Sequence, residues 1–320
     1  MTASLPEMLA DRPWLLADGA TATNLYNMGL RRDTAPEVWN ETHPDRVLAL
    51  HRAAIESGAD IILTNSFGGT AARLRLVGAE HRVWAVNHAA AFLARQAADA
   101  AGRPVLVAGC IGPTGEIMVP MGTLTQQQAT AMFQSQAEAL KAGGADLLWI
   151  ETISSLEEFR AAAEAARLVG MDWCGTMSFD TAGRTMMGAT PAQLAALVDR
   201  LPYPPVAFGA NCGTGMTELL RSIAAFSAAG SERTLIAKAN AGVPHLDHGE
   251  LHYDGTPEQM AEYAVLARDL GARIIGGCCG TEPRHIAAMR RALDARGPGP
   301  RPSPEAVAAA MAEFEADADE

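Results

Sequence analysis

Eight short apolar runs, each followed by an Ala-rich stretch with helical spacing, constrain most strongly how this chain can fold. Continuous apolar runs are typical of strands that are buried on both faces, as in parallel sheets. The helical spacing is clear in residues 45–56, where Val47, Leu50 and Ala54 fall near one face. The predicted strands are residues 14–17, 60–64, 104–108, 146–151, 173–179, 206–210, 234–239 and 273–276.

Eight strand–helix units predict an α/β protein with a (β/α)8 barrel, also called a TIM barrel. The alternative is an open, doubly wound sheet, which needs a Gly-rich loop that opens a helix. Its best candidate is the pair Gly213 and Gly215, which lacks a third glycine, so the barrel is favoured. We expect the barrel to span residues 1–296, and residues 297–320 to form a Pro/Gly-rich, acidic tail.

Composition narrows the class of protein and its partners. The formal net charge of −12 makes nucleic acid and anionic membrane surfaces poor partners. The sequence contains no apolar run of about 18 residues and no signal-peptide pattern, so we expect a cytoplasmic protein. An odd number of cysteines, five, argues against a disulfide framework and raises the question of reactive or metal-binding thiols.

In a TIM barrel the active site lies at the C-terminal ends of the strands. The residues that follow the eight predicted strands are polar, small or sulfur-bearing throughout. They are residues 18–23, 65–70, 110–116, 151–152, 178–180, 211–213, 240–242 and 276–281. This consistency supports the predicted strand register and predicts an active site at this end of the barrel.

Three cysteines stand out among these residues. Cys212 follows the sixth strand, and Cys278 and Cys279 follow the eighth, so all three flank the seventh strand of the predicted barrel. Three thiolates can bind one Zn²⁺ ion at about 2.3 Å and leave a fourth position open, as catalytic zinc sites do. The alternative is that they are buried structural cysteines, which behave as small hydrophobes, and spacing alone does not decide between the two. Cys110 and Cys174 are predicted to be core residues.

A second group of metal-binding residue types is His245, His248 and His252. Its spacing could hold a metal ion. The segment is polar and contains Gly and Asp, and histidines in such loops are usually solvated, so the cysteines are the stronger candidates.

Seven motifs, in chain order, resemble those of the homocysteine-binding barrel family, the homocysteine S-methyltransferases. They are LADGATATNL, ESGADIILTNSF, GPTGE, WIETISSLEE, GANCGTG, KANAGVP and GGCCGT, within about residues 14–291. The family includes betaine–homocysteine and S-methylmethionine-dependent methyltransferases and the homocysteine module of cobalamin-dependent methionine synthase. The resemblance implies a Zn²⁺-dependent enzyme that methylates homocysteine to methionine.

The resemblance also implies a role for each matching metal ligand. Cys212, Cys278 and Cys279 correspond to the zinc ligands, through which the substrate thiol is activated. Asn240 corresponds to a residue that fills the fourth position when substrate is absent. Since zinc coordination deprotonates a thiol and the thiolate is the nucleophile, such a site needs no protein base for the transfer step.

The substrate contacts implied by the resemblance lie on two strand ends. In the first loop, Asp18, Gly19, Ala20 and Thr21 belong to the stretch whose backbone amides hold the homocysteine carboxylate. Glu151 corresponds to the carboxylate that takes the substrate ammonium.

Two of these residues have structural alternatives, and two more positions stay open. Asp18 could act only as a turn residue, and Glu151 as a helix-terminal acid. Asn65 and Ser178 are candidates either for substrate binding or for satisfying backbone groups at strand ends.

The methyl donor is predicted from local detail. TNSFGGT resembles the corresponding stretch of the methionine synthase module, whereas betaine enzymes carry an aromatic residue where this chain has Gly68. Aromatic side chains enclose quaternary ammonium groups, although Trp39 could substitute here. The sequence has no D-x-H-x-x-G corrinoid motif. The hypothesis is therefore a stand-alone subunit that uses methylcobalamin on a separate corrinoid protein. The alternatives are a self-sufficient enzyme using betaine or S-methylmethionine, and a non-catalytic zinc- or thiol-binding barrel.

Overall fold

The computed structural model describes residues 4–230, 232–247 and 250–316. Its centre is an eight-stranded parallel sheet in the order β1-β10-β7-β6-β5-β4-β3-β2, and an antiparallel hairpin pairs β8 with β9. The strands are β1 Leu15–Leu16, β2 Ile61–Leu63, β3 Leu106–Ile111, β4 Leu147–Ile153, β5 Trp173–Met177, β6 Ala207–Cys212, β7 Thr234–Ala239, β8 His245–Asp247, β9 Glu250–His252 and β10 Ala272–Gly277.

Helices alternate with the strands of the sheet. The α-helices are α1 Leu5–Asp11, α2 Ala22–Asn27, α3 Trp39–Thr42, α4 Pro44–Glu56, α5 Ala71–Leu74, α6 Val83–Asp99, α7 Gln126–Ala142, α8 Leu156–Val169, α9 Pro191–Val198, α10 Met216–Ala228, α11 Pro257–Asp269, α12 Pro283–Ala295 and α13 Pro304–Ala316. Short 3₁₀ helices span Pro36–Val38, Arg75–Val77 and Glu80–Arg82. Within the described ranges, no helix is long and apolar enough to cross a membrane.

The sheet closes into a barrel between its first and second strands. A parallel bridge pairs Ala17 with Ile61, and the backbone N–H of Asp18 donates to the carbonyl of Ile61 at 3.0 Å. The predicted (β/α)8 barrel is confirmed, and each of the eight predicted strands overlaps an observed one. The β8–β9 hairpin lies in the segment that was expected to be a polar loop.

Alternation along the strands divides the core into two layers. Leu15 and Ala17 point into the barrel, whereas Leu16, between them, packs in the layer between strands and helices. Side chains of α1, including Leu5 and Leu9, join the inner cluster and close the N-terminal end of the barrel. The period of two therefore decides which strand residues can reach the mouth.

Local sequence sets the start of three of the outer helices. In each, a threonine cap is followed three residues later by a glutamine, and the two side chains bond reciprocally to backbone N–H groups. The pairs are Thr125 with Gln128, Thr190 with Gln193 and Thr256 with Gln259.

A buried carboxylate fastens the N-terminal end of the barrel. Asp60 directly precedes β2 and its side chain is 1% exposed. It forms ion pairs with Arg12, Arg103 and Arg290 at N–O distances of 2.7, 3.4 and 3.2 Å. It thereby joins α1, the segment before β3 and α12 at the end opposite the mouth.

The segment after residue 296 contacts the barrel. Helix α13 packs against α10, and Val307 on α13 is 5% exposed. Arg268 on α11 donates to the carbonyl of Gly297 at 2.8 Å. Residues 317–320 of the predicted tail lie outside the described residues, and the boundary at residue 296 stays a prediction.

Candidate metal centre and substrate pocket

Three cysteine sulfurs converge at the C-terminal mouth of the barrel. Cys212 is the last residue of β6, Cys278 and Cys279 follow β10, and β7 lies between these two strands. Their Sγ atoms all lie within 4.8 Å of one another. A tetrahedral zinc ion with Zn–S bonds of about 2.3 Å separates its sulfurs by about 3.8 Å, so one ion can reach all three. Among the residues described, this is the only such group of three metal-ligating side chains.

The chemistry of these thiols fits a thiophilic metal ion. The hydrogen bond with Cys212 and burial, among other causes, hold the pKa of Cys278 well above its ordinary value. Three crowded thiols in this position stay protonated unless a cation compensates their charge. Zn²⁺ binds such thiolate sets readily, because soft sulfur donors suit it.

Two residues at the site have strained backbone conformations, and the Asn211 side chain bonds to one of them. Thr152 and Cys212 both have φ of 62°, a left-handed conformation that costs a non-glycine residue about 1–2 kcal/mol. The Asn211 Oδ1 accepts from the Thr152 N–H at 2.8 Å and from the Thr176 hydroxyl at 2.6 Å. Its Nδ2 donates to the Thr152 hydroxyl at 2.7 Å and lies 3.8 Å from the Cys278 Sγ. The sequence analysis did not single out Asn211 or its threonine partners.

Asn240 joins the two cysteine-bearing loops. Its Nδ2 donates to the carbonyl of Gly213, next to Cys212, at 2.7 Å. Its Oδ1 accepts from the backbone N–H of Cys279 at 3.1 Å. Asn240 therefore helps set the spacing of the sulfurs from β7, between the strands that carry them.

A buried charge cluster lies beside the sulfurs, and its cation was missed by the sequence analysis. The Nζ of Lys238 on β7 is 3.4 Å from Asp18 Oδ1 and 3.8 Å from Glu151 Oε2. The other Asp18 oxygen accepts from the Leu63 N–H at 2.7 Å. Burial raises the pKa of Asp18 to about 6 even though Lys238 opposes the shift.

Glu151 faces the barrel interior as a strand residue, rather than beginning a helix. Its Oε1 accepts from the thiol of Cys110 at 3.3 Å, and its buried Oε2 has no hydrogen-bond partner in the described structure. Cys110 and Cys174 are 3% and 0% exposed, so the prediction that both are core residues is confirmed. Cys110 nevertheless lies at the edge of the site.

The Asp18–Thr23 loop packs closely against the loop that carries the paired cysteines. The Ala20 N–H donates to the carbonyl of Thr281 at 3.0 Å. A β-carbon at Gly19 would lie 2.6 Å from the same oxygen, so only glycine fits there. Thr21 is the N-cap of α2 and its side chain makes no capping hydrogen bond.

These elements surround a single cavity of about 470 Å³ at the mouth. The three cysteines, Lys238, Glu151, residues 19–23 and Asn65 line it, and it extends to Tyr26, Glu37 and Arg73. The Asn65 Nδ2 donates to the Pro36 carbonyl and to Asn40 Oδ1 at 2.8 and 2.9 Å. Ser178 is buried beyond the end of β5 and does not belong to the described lining of this cavity.

Two of the three histidines in the second candidate metal group lie among the described residues. His245 and His252 are paired across the β8–β9 hairpin with ring centroids 6.1 Å apart, and His245 contacts Asp254 at 3.2 Å. His248 lies outside the described residues.

A closed (β/α)8 barrel with three converging thiols and a carboxylate-lined cavity at its mouth defines a class of TIM-barrel proteins with a candidate thiolate metal centre. A family model described as homocysteine S-methyltransferase matches residues 15–293. The chain belongs to this family, whose members are methyltransferases that act on homocysteine. Family membership therefore supports an enzyme over a non-catalytic barrel.

Individual relatives agree with this assignment. The chain is 29% identical to methionine synthase of Mycobacterium leprae in an alignment of 318 residues that covers 92% of this chain and about a quarter (26%) of that protein. It resembles the crystal structure of the homocysteine methyltransferase MmuM from Escherichia coli in its oxidized form, with a TM-score of 0.74 and 28% identity, covering 90% of this chain and 98% of MmuM. The metallated form of MmuM gives a TM-score of 0.75 and 26% identity, covering 89% and 98%.

Proposed function

We propose that this protein is a cytoplasmic, zinc-dependent enzyme that forms methionine from homocysteine, acting as a stand-alone subunit with methylcobalamin bound to a separate corrinoid protein. The observation that carries the proposal is the convergence of three thiols on the cavity that also holds the Glu151 carboxylate. Five free cysteines suit a reducing compartment.

The proposed zinc ligands are Cys212, Cys278 and Cys279. Zn²⁺ bound there would lower the pKa of a thiol placed beside it, so that homocysteine reacts as a thiolate. Asn240 remains the candidate for the fourth position in the absence of substrate, a role that the family resemblance implies. Its Oδ1 accepts a hydrogen bond from the Cys279 backbone N–H, which keeps it next to the paired cysteines.

The remaining residues would orient the substrate. Glu151 would accept the substrate ammonium, and its Oε2, which accepts no hydrogen bond from the described residues, supports this role. The Asp18–Thr23 loop, fixed by the close approach of Gly19 to Thr281, would direct backbone N–H groups at the carboxylate. Asn65 lines the same cavity and stays a candidate contact. Ser178, beyond the end of β5, stays a candidate although it is not among the described lining residues.

Metal content tests the ligand assignment, and the chain supplies its own controls. Cys279→Ala should lose stoichiometric zinc, whereas Cys174→Ala should retain it, because Cys174 is buried in the inner core away from the sulfur cluster. Zinc per chain would be measured by mass spectrometry after dialysis. Stoichiometric zinc and full activity in Cys279→Ala would contradict the assignment.

An exposed apolar rim supports delivery of the methyl group by a protein. Leu76, Ile117, Met121 and Met186 lie in the loops after β2, β3 and β5 and are 56–77% exposed. Of these, Leu76 lines the cavity, and exposed apolar side chains at such an end of a barrel suit a protein partner.

The cavity favours a second candidate, a small cationic donor such as betaine or S-methylmethionine. Beyond the cysteines it extends to the Tyr26 ring and the Glu37 carboxylate, and both kinds of group attract cations. At about 470 Å³ it has room for a small donor beside homocysteine.

The two candidates differ in a donor-by-donor assay. Methionine formation by zinc-loaded protein would be measured with methylcobalamin, S-methylmethionine, betaine and methyltetrahydrofolate, one at a time. Turnover with methylcobalamin alone, lost on chelation, supports the corrinoid partner. Turnover with betaine or S-methylmethionine identifies a self-sufficient enzyme, and chelation without effect contradicts the zinc mechanism.

A further inference from the structure

Lys238 is an unusual residue to find inside this barrel. The chain has only two lysines, Lys141 and Lys238, and the side chain of Lys238 is 2% exposed. Lysine is almost never fully buried unless it is paired. Its Nζ lies between the carboxylates of Asp18 and Glu151 and 5.4 Å from the centre of the Trp149 ring.

These ion pairs leave the ammonium and one carboxylate incompletely bonded. The Nζ distances of 3.4 and 3.8 Å exceed the 2.7–2.9 Å or so of a well-formed charged hydrogen bond. An ammonium has three N–H donors, and Glu151 Oε2 accepts no hydrogen bond from any described residue. The cluster therefore retains both donor and acceptor capacity, and Lys238 and Glu151 both line the cavity beside the cysteines.

An α-amino acid carries its ammonium and carboxylate on the same carbon atom. The Nζ of Lys238 and the Oε2 of Glu151 carry opposite charges and lie 3.8 Å apart. The carboxylate of an amino acid could therefore contact Lys238 while its ammonium contacts Glu151. We propose that Lys238 is a specificity-determining residue that receives the carboxylate of an α-amino acid thiol while Glu151 receives its ammonium. This inference rests on the proposed function, and the backbone amides of the Asp18–Thr23 loop would contact the same carboxylate.

Without Lys238 the mouth would repel carboxylates. Asp18 and Glu151 are carboxylates, and the three cysteines become anionic thiolates when a metal ion is bound. In a water-poor site such repulsion is strong, because the effective dielectric is low. Lys238 makes a carboxylate favourable there and, by like-charge repulsion, makes a plain aminothiol less favourable.

Three thiols separate these contributions. Calorimetric titration of the zinc-loaded protein would compare L-homocysteine, 3-aminopropane-1-thiol, which lacks the carboxylate, and 4-sulfanylbutanoate, which lacks the ammonium. The wild-type protein should bind homocysteine about tenfold or more tightly than the aminothiol. In Lys238→Met that preference should fall several-fold, to what the backbone amides of the Asp18–Thr23 loop supply, and 4-sulfanylbutanoate binding should weaken by a similar factor. Lys238→Arg should keep part of the preference.

Lys141→Met is the matched control, since Lys141 is the exposed lysine on α7 and donates to the carbonyl of Val169. It should keep the wild-type preference. Circular dichroism and zinc content of each variant would establish that the fold and the metal site are intact. The wild-type comparison of homocysteine with the aminothiol tests the inference even if no Lys238 variant folds.

Several results would overturn the assignment to Lys238. Equal wild-type affinity for homocysteine and the aminothiol would do so, as would an equal loss for all three thiols in Lys238→Met, which indicates a structural role. Loss of the preference in Arg73→Met but not in Lys238→Met would assign the carboxylate to the other side of the cavity. If zinc-loaded wild-type protein bound none of the thiols, the proposed function itself would fail. Binding of homocysteine with an unchanged preference in Lys238→Met would contradict only this inference.

Discussion

Replacement of Asn211 by alanine should weaken both the fold and the metal site. Asn211 is fully buried and makes three side-chain hydrogen bonds, of 2.6, 2.7 and 2.8 Å, to Thr152 and Thr176. At about 1 kcal/mol net for each, their loss should cost about 3 kcal/mol. With an unfolding entropy of roughly 2.1 cal/mol/K per residue, this corresponds to a fall in Tm of about 4–5 °C for a chain of 320 residues.

The effect on metal binding should be separate from the effect on stability. Asn211 bonds to the left-handed Thr152, directly precedes Cys212 in the sequence and lies 3.8 Å from the Cys278 Sγ, and groups that orient metal ligands typically contribute about 10–100-fold to metal affinity. Tm would be measured on metal-free protein by calorimetry, and the zinc Kd by competition with a chromogenic chelator.

Asn87 provides the matched control. It is also fully buried, and its side chain bonds to Gly69, Val83 and Gln136 at 2.8, 2.7 and 3.1 Å, away from the cysteines. Asn87→Ala should show a similar loss of Tm with an unchanged zinc Kd. If Asn211→Ala bound zinc as tightly as Asn87→Ala, Asn211 would not position the metal ligands.

Three further predictions concern other parts of the barrel. Burial lowers the pKa of His51 to about 4, so the unfolded chain takes up the proton first as the pH falls below about 6.5. Stability should therefore drop between pH 6.5 and 4 by up to about 3 kcal/mol more than in His51→Gln, as measured by urea unfolding; parallel pH profiles would contradict this. Asp60→Asn should cost about 3–5 kcal/mol with an unchanged KM, whereas Glu164→Gln, at an exposed pair, should cost less than about 1 kcal/mol; equal losses would refute the distinction. Gly19→Ala should raise the KM for homocysteine, because the added carbon would collide with Thr281 and displace the Asp18–Thr23 loop. An unchanged KM would show that this loop does not bind the substrate.

The strand pattern was predictable because parallel barrel strands leave a strong signal. The predicted strand at 234–239 coincides with β7. Polar residues bound this apolar run, so the ends of the strand could not be placed elsewhere. β3 extends to Ile111, whereas the prediction ended it at residue 108. The prediction stopped too early because Gly109 and Cys110 resemble the start of a loop. A β-carbon at Gly109 would lie 3.1 Å from the Leu140 side chain, so glycine allows close packing there, which a single sequence does not reveal.

The candidate site was predicted only in part, because the sequence reasoning considered the residues that follow each strand. The mouth is also lined by the last inward-facing residues within the strands. Ile236 points into the barrel, and the period of two carries Lys238 inward as well. From Ala207 the same period carries Asn211 inward. Alternation was thus the signal that could have found Lys238. Asn211 was among the strand-end residues considered, but its partners Thr152 and Thr176 are distant in the sequence, so its bonding role was not predictable.

Alternation by itself fails at Cys212, and the backbone shows why. Ala210 packs in the outer layer, between strands and helices, so a regular strand would also direct Cys212 outward. The left-handed φ of 62° at Cys212 breaks the alternation and lets its sulfur lie with those of Cys278 and Cys279.

A left-handed residue also interrupts β4, where it reverses which residues face the barrel interior. Trp149 points inward, yet Ile153, four residues later, packs in the outer layer. The reversal occurs at Thr152, whose φ is also 62° and beside which the pairing with β5 shifts register. Asn211 on β6 bonds to Thr152 across β5, and it directly precedes Cys212 in the sequence. One buried side chain therefore connects the strained Thr152, on the strand that carries Glu151, to the residue that directly precedes the strained Cys212.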